Sequence, residues 1–271
     1  MYLVREPAVA GAFYPGQGPV LSSDVMRMLA AARPGTDAPA KPPKAIIVPH
    51  AGYIYSGPTA ALAYARLSAV RTTIRRVVLL GPTHRVPVRG LALPGVDSFA
   101  TPLGEIEVDQ DAVAAITALP QVVVSPMAHR LEHSLEVQLP FLQSVLENFK
   151  LVPLAVGDAT PTEVAQVLEV LWGGEETLIV VSSDLSHFLH YRAAQTVDRE
   201  TAQNIMNLNS SLTHEQACGG TPVNGLLLAA KRHHLQPQLL GLCNSGDTAG
   251  DKGRVVGYAA FAFTPGADDV H

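Results

Sequence analysis

The strongest constraint on the fold is a regular alternation along the chain of short β-branched runs with longer stretches whose apolar residues recur three and four apart. Ala45–Val48, Val77–Leu80, Val122–Val124, Lys150–Ala155, Leu178–Val181, Gln238–Leu242 and Val255–Phe263 read as strands. Between them Ser56–Leu67, Gln110–Leu119, Ser134–Leu146, Pro161–Leu171, Tyr191–Leu208 and Asn224–His233 read as helices. Strands that run parallel need crossover connections, and helical crossovers cover both faces of the sheet. The pattern therefore predicts an α/β fold with a mostly parallel or mixed central sheet flanked by helices on both faces. A length of 271 residues with 47% hydrophobic content supplies a substantial core. The one linker-like stretch, Arg33–Lys44, comes too early to separate two domains and reads as a surface loop, so residues 1–271 are expected to form a single domain.

Local signals refine the helices. Ser56 is placed to cap the first with Pro58 in its first turn, and Pro161 opens another where a missing N–H is harmless. Pro140 inside the Ser134–Leu146 pattern requires a kink or a later start.

Charge and composition exclude several classes of function. The net charge is −5, and without a Lys/Arg cluster there is no electrostatic footprint for nucleic acid. No apolar run approaches the roughly 20 residues that cross a bilayer, and Arg5 and Glu6 interrupt the start where a signal peptide needs an apolar core. No membrane association and a cytoplasmic location are expected. Cys218 and Cys243 are too few for a disulfide framework and are read as reduced thiols or metal ligands.

Ligand sites in such sheets form beyond the carboxyl ends of the strands, and the unusual residues fall there. Ile46-Ile47-Val48-Pro49-His50 ends one strand in a histidine, and Leu79-Leu80-Gly81-Pro82-Thr83-His84 repeats the arrangement on the next. Ile179–Ser183 then leads to Asp184 and His187, three apart, a spacing that puts both on one face of a helical turn. A lone histidine is usually a core or loop imidazole bonded to backbone, whereas three at strand ends point to a shared metal or catalytic pocket, and imidazole with carboxylate suits iron, copper or zinc. A fourth element, His129-Arg130-Leu131-Glu132-His133-Ser134-Leu135-Glu136, brings two imidazoles and two carboxylates to a helix start that Ser134 can cap. Glu132 and His133 can face the cleft, and Glu136 is either a residue that orients a ligand or an ordinary charge at the helix entrance. Cys218, in Cys218-Gly219-Gly220-Thr221-Pro222, is either a small buried hydrophobe or a thiol close to a metal. Cys243 reads as packing, and His214, His233 and His234 as solvated histidines on polar helical surfaces.

Pro49-His50-Ala51-Gly52-Tyr53, Gly81-Pro82-Thr83-His84, Glu132-His133-Ser134-Leu135-Glu136, Ser182-Ser183-Asp184 with His187, and Cys218-Gly219 together resemble the Memo family. The opening Arg5-Glu6-Pro7 and Ala10-Gly11-Ala12-Phe13-Tyr14-Pro15 fit as well, so the resemblance covers essentially the whole chain. It implies a fold similar to the class III extradiol dioxygenases, with His50, His84 and Cys218 as metal ligands and Asp184 and His187 beside them. A thiolate in place of the dioxygenase carboxylate shifts preference toward copper(I), zinc or thiolate-bound iron, so ring cleavage is not inherited with the fold.

Three functions follow as expectations. In the first, the pocket binds iron (Fe2+) or copper, with zinc as a further candidate, for an O2-dependent or other redox reaction on a small-molecule or peptide ligand. There His187 is acid or base, Asp184 orients an imidazole, and His133 and Glu136 complete the catalytic set. In the second, also implied by animal members of the family, the cleft is a catalytically inactive module that recognises a phosphopeptide, with Arg85, Arg89 and Arg130 the nearest cations. In the third, the protein works beside a radical-SAM protein and a third protein encoded nearby, as microbial members imply.

Overall fold

The computed structural model describes residues 2–32 and 41–266. Most of the expected Arg33–Lys44 loop, residues 33–40, lies outside them. The strands are β1 (Val4–Arg5), β2 (Ala45–Val48), β3 (Arg76–Pro82), β4 (Leu91–Leu93), β5 (Ser98–Thr101), β6 (Gly104–Glu107), β7 (Val122–Val124), β8 (Lys150–Val156), β9 (Thr177–Ser182), β10 (His187–Leu189), β11 (Leu235–Asn244) and β12 (Val255–Pro265). The α-helices are α1 (Gly18–Ala31), α2 (Tyr53–Tyr64), α3 (Gln110–Thr117), α4 (Pro126–Arg130), α5 (Leu139–Val145), α6 (Pro161–Leu171), α7 (Tyr191–Met206) and α8 (Gly220–Arg232).

Among the described residues one large sheet runs β10-β12-β2-β9-β3-β8-β4-β7, with β11 also paired to β12. Its centre, β2-β9-β3-β8, is parallel, while β12 and β4 join antiparallel on either side. The sheet is thus mixed, and the parallel part is the part that carries the site. A second, three-stranded sheet, β1-β5-β6, holds the N-terminal segment.

Successive residues of a strand face opposite sides, and the all-apolar central strands feed two cores. Ile46, Val48, Val77, Leu79, Leu178 and Val180 pack toward α1, α2 and α5. Ala45, Ile47, Val78, Leu80, Ile179 and Val181 pack toward α3, α6, α7 and α8. Each fully buried aliphatic side chain contributes about 1.5–3 kcal/mol, which explains why these strands confine their polar residues, Arg76, Lys150, Thr177 and Ser182, to their ends.

Several local expectations are corrected. The helix expected over Ser56–Leu67 is α2, which begins at Tyr53 behind Gly52 at its N-cap, and Ser56 lies inside it with Oγ donating to Ala51 O. Pro58 is also interior, so the helix accommodates it without one backbone donor. Residues 134–138 form a turn and a short 3-10 segment, and α5 starts only at Leu139 with Pro140 in its first turn. Ser134 caps nothing; its Oγ donates to Pro82 O. The Asp184–His187 segment is not a helical turn, because His187 opens β10 and pairs antiparallel with Val256 of β12. His233 is half-buried and stacks on Trp172 at 3.8 Å, with Nε2 2.8 Å from Glu169.

Candidate metal site

Because β2, β9, β3 and β8 are parallel, their carboxyl ends share one edge of the sheet. Val48 pairs with Ser182, and Leu80 with Val181. His50, His84 and Asp184 each follow directly from those ends. The loop from α4 to α5 brings His133 to the same place. One ring nitrogen from each of His50, His84 and His133 lies within 4.8 Å of the others. The His84 and His133 rings stack at 4.7 Å, and His50 meets both edge-on at 5.2 and 5.4 Å.

The hydrogen bonds around His50 assign its tautomer. Pro49 O can only accept, so the Gln138 group 2.9 Å from it is the amide N–H2, which also donates to Ser182 Oγ at 2.8 Å. Ser134 O likewise only accepts, so the single Ser182 hydroxyl proton goes there, at 2.6 Å. Ser182 Oγ, 3.0 Å from His50 Nδ1, is then left as an acceptor, and Nδ1 must carry the proton. The Nε2 lone pair then faces the Cys218 thiol, 3.3 Å away.

His84 is held in the same sense. Its backbone N–H donates to Glu132 Oε2 at 2.6 Å and its Nδ1 to Oε1 at 2.8 Å, while the His133 and Ser134 N–H groups also donate to Oε1. Burial by itself would raise the Glu132 carboxyl, but these donors outweigh it and hold it at about 2. His187 donates Nδ1–H to Leu185 O at 2.8 Å, which again leaves Nε2 available.

Burial, reinforced by the neighbouring imidazoles, pushes His50 well below the ordinary histidine range. Burial also brings His133 down to about 4. Neutral imidazoles with anchored Nδ1 protons and converging lone pairs are the state that binds a transition metal.

Cys218 stands just before α8, and its Sγ is 3.3 Å from His50 Nε2. A Cβ on Gly219 would come within 2.7 Å of Ser183 Cβ and 2.8 Å of Ser182 O, so only glycine lets this turn approach the β9 end. Burial, with Asp184 adding, pushes the thiol up to about 12. Ligand atoms bonded to one metal at roughly 2.0 Å (N) and 2.3 Å (S) in a tetrahedral arrangement stand roughly 3.5 Å apart, so the observed spacing fits shared ligation.

A scan of the full chain against family models finds the Memo-like protein model over residues 5–262. The chain belongs to the Memo family. MEMO1 family proteins are similar to it along nearly their whole length. The one from Aquifex aeolicus is 37% identical over 273 residues, covering 96% of this chain and 99% of the relative. Those from Archaeoglobus fulgidus and Sulfolobus acidocaldarius are 35% and 32% identical, each with 96% of this chain and 99% of the relative covered.

Within this Memo chain the expected residues divide in two. His50, His84 and His133 come together; Cys218 touches this group at His50 alone and is not among the side chains whose donor atoms all lie within 4.8 Å of one another, and His187 is close enough for its charge to bear on His50. Asp184 is adjacent but does not orient an imidazole. Its Oδ1 accepts the His50 backbone N–H at 2.7 Å, and burial pushes it up to about 7 against the pull of the His50 and Ala51 amides. Glu136, fully buried, serves the N-terminal segment. It pairs with Arg5 and accepts from Ala8 N, Val9 N and the Tyr14 hydroxyl. That tether explains the Memo motifs at the start of the chain, since Phe13 is thereby set against His133 at 4.7 Å. The anchoring group for His84 is Glu132, and that for His50 is Ser182 with Gln138 and Ser134 behind it. The available signal was a polar pair, Ser182-Ser183, following the apolar run Leu178–Val181. No helix among the described residues is long and apolar enough to cross a membrane.

Proposed function

We propose that the protein is a metal-dependent redox protein whose centre holds iron or copper through His50 and His84, with Cys218 as the third ligand and His133 alongside. The observation that carries this reading is the convergence of three imidazoles on one point, two of them, His50 and His84, with their outer nitrogens tied back by acceptors. The mixed nitrogen and sulfur donors suit copper(I), iron or zinc, and fewer than six protein ligands leave room for a small molecule. Such an ion would supply electron transfer or Lewis-acid polarisation of what binds beside it.

The chain's own residues do the rest. Glu132 and Ser182 orient the ligand imidazoles, Phe13 covers His133, and His187, with Nδ1 donated to Leu185 O, has Nε2 placed to hold or deliver a proton. A phosphopeptide groove draws little support from the charges: Arg89 is engaged by Glu163 at 2.6 Å. Assembly with a radical-SAM protein stays a proposal resting on family resemblance.

The test is metal analysis of anaerobically purified protein with an anomalous-scattering map. Iron or copper near one equivalent, lost in His50→Ala and reduced in Cys218→Ser, is the expected result. Protein that binds neither metal, or binds it undiminished in His50→Ala, overturns the reading.

A further inference from the structure

A cavity of about 260 Å³ opens between the ends of β3 and β8 and the start of α8; none of the three clustered imidazoles lines it, and Cys218 is the residue it shares with the proposed centre. Cys218 forms part of its wall. Thr83, next to His84, forms another, and the remaining lining is largely Pro82, Pro87, Val88, Val156 and Pro222, with Asp158, His214 and Thr221 as polar groups. His214, expected to be merely solvated, therefore faces this space.

The charge of the wall is one-sided. No Lys or Arg lines it; Arg89 is taken by the Glu163 carboxylate and the Asp158 backbone carbonyl, and Arg85, between the lining residues Thr83 and Pro87, is exposed and outside the wall. A helix start ordinarily attracts anions through its free N–H groups. At α8 those groups are largely engaged: Gly219 N donates to Ser183 Oγ, Gly220 N to Ala217 O and Val223 N to Gly219 O, while Pro222 has none. Gly157 keeps the wall closed on one side, because a Cβ there would fall 2.1 Å from Val88 O.

We infer that this cavity is the substrate chamber of the proposed metal centre, and that it admits a small, mainly apolar molecule bearing a neutral or cationic hydrogen-bond donor while disfavouring anions. The inference deepens the metal reading and rests on it for the chemistry, but the chamber's selectivity can be measured without a metal. The wall carboxylate, Asp158, is exposed, so at about 6 Å from an entering charge in a near-aqueous dielectric it is worth roughly a factor of three between cation and neutral molecule. An anion is disfavoured to a similar extent.

Cys218 reports on the route. In the full-length Cys243→Ser protein, Cys218 is titrated with methyl, 2-aminoethyl and 2-sulfonatoethyl methanethiosulfonate, and each rate is divided by that of 2-mercaptoethanol with the same reagent. The Cys218 sulfur forms a disulfide with the reagent's sulfenyl sulfur, methanesulfinate leaves, and the thiol proton passes to solvent. The expected normalised order is aminoethyl, then methyl, then sulfonatoethyl, with about tenfold or more between the extremes. Asp158→Lys, at an exposed position, should invert the preference between the charged reagents, and Thr221→Trp should slow all three by filling the chamber. Equal normalised rates for the charged reagents, an Asp158→Lys variant with unchanged preference, or no reaction of Cys218 with any of them overturns the inference. Metal stoichiometry, measured separately on the wild-type protein and His50→Ala, decides the metal reading by itself, so the two failures are distinguishable.

Discussion

Glu132 grips His84 twice, accepting the backbone N–H at Oε2 (2.6 Å) and the ring Nδ1–H at Oε1 (2.8 Å). The pair fixes both where His84 sits and which nitrogen it offers. Glu132→Gln keeps the size but turns an acceptor into a donor among the His84, His133 and Ser134 amides. Metal affinity, read by competition with a chelator, should fall about 10–100-fold. Conversion of Glu132 to Gln with affinity unchanged would show that His84 is no ligand.

Ser182 plays the corresponding part for His50, and its hydroxyl is a junction of three hydrogen bonds. Ser182→Ala leaves the His50 Nδ1–H, a Gln138 N–H and Ser134 O without that partner inside the protein. The expected loss is about 1–3 kcal/mol of stability from the unsatisfied groups. Metal affinity should drop as well, by a margin similar to that of Glu132→Gln, because His50 is then free to turn over. Chemical denaturation and metal competition on the same preparation separate the two effects.

Glu136 supplies the contrast. Only four residues apart in sequence, the two glutamates face different duties: Glu132 serves the imidazoles, and Glu136 holds the N-terminal segment through Arg5, Ala8, Val9 and Tyr14. Breaking a buried ion pair from one side costs about 3–5 kcal/mol, so Glu136→Ala should lower stability far more than Glu132→Gln lowers it. The metal affinity of the folded fraction should change less than in Glu132→Gln. A Glu136→Ala protein as stable as wild type would contradict the tether.

The alternation of periods made the central sheet legible, because buried parallel strands must be continuously apolar and their helices must be amphipathic. Ile46–Val48, Val77–Leu80 and Leu178–Val181 could hardly be anything else. His50 and His84 were legible for the same reason: each is the first strongly functional side chain after such a strand, and parallel neighbours aim their carboxyl ends together. The three-stranded sheet of β1, β5 and β6 left no such trace, since its strands are short and the Gly104–Glu107 strand is mostly exposed. The duties of Glu132 and Glu136 were not separable by spacing either. A four-residue interval puts side chains on one face only inside a helix, and residues 132–135 are irregular chain and turn, so the two carboxylates diverge. Asp184 and His187 failed for the same reason, a helical spacing applied to a segment that enters a strand.

His129 offers a pH test that leaves the proposed ligands untouched. Its ring is buried, Nε2 donates to Ala92 O at 2.7 Å, and burial brings its pKa to about 4 against the opposing effect of that carbonyl, with Arg5 lowering it further. The unfolded chain binds a proton at this residue from about pH 6.5 downward, whereas the folded protein resists until about pH 4. Between those values the unfolded state holds more protons, so stability rises with pH and is lost as pH falls from about 6.5 to about 4. The share due to His129 is on the order of 3 kcal/mol across that window. His129→Gln keeps a donor for Ala92 O and removes the titration. Its denaturation midpoint should therefore vary less steeply with pH than the wild-type midpoint over the same interval, while the two converge in slope above pH 7. Parallel curves throughout would mean that His129 carries its proton equally in both states, which its enclosed position beside the Arg5 guanidinium argues against.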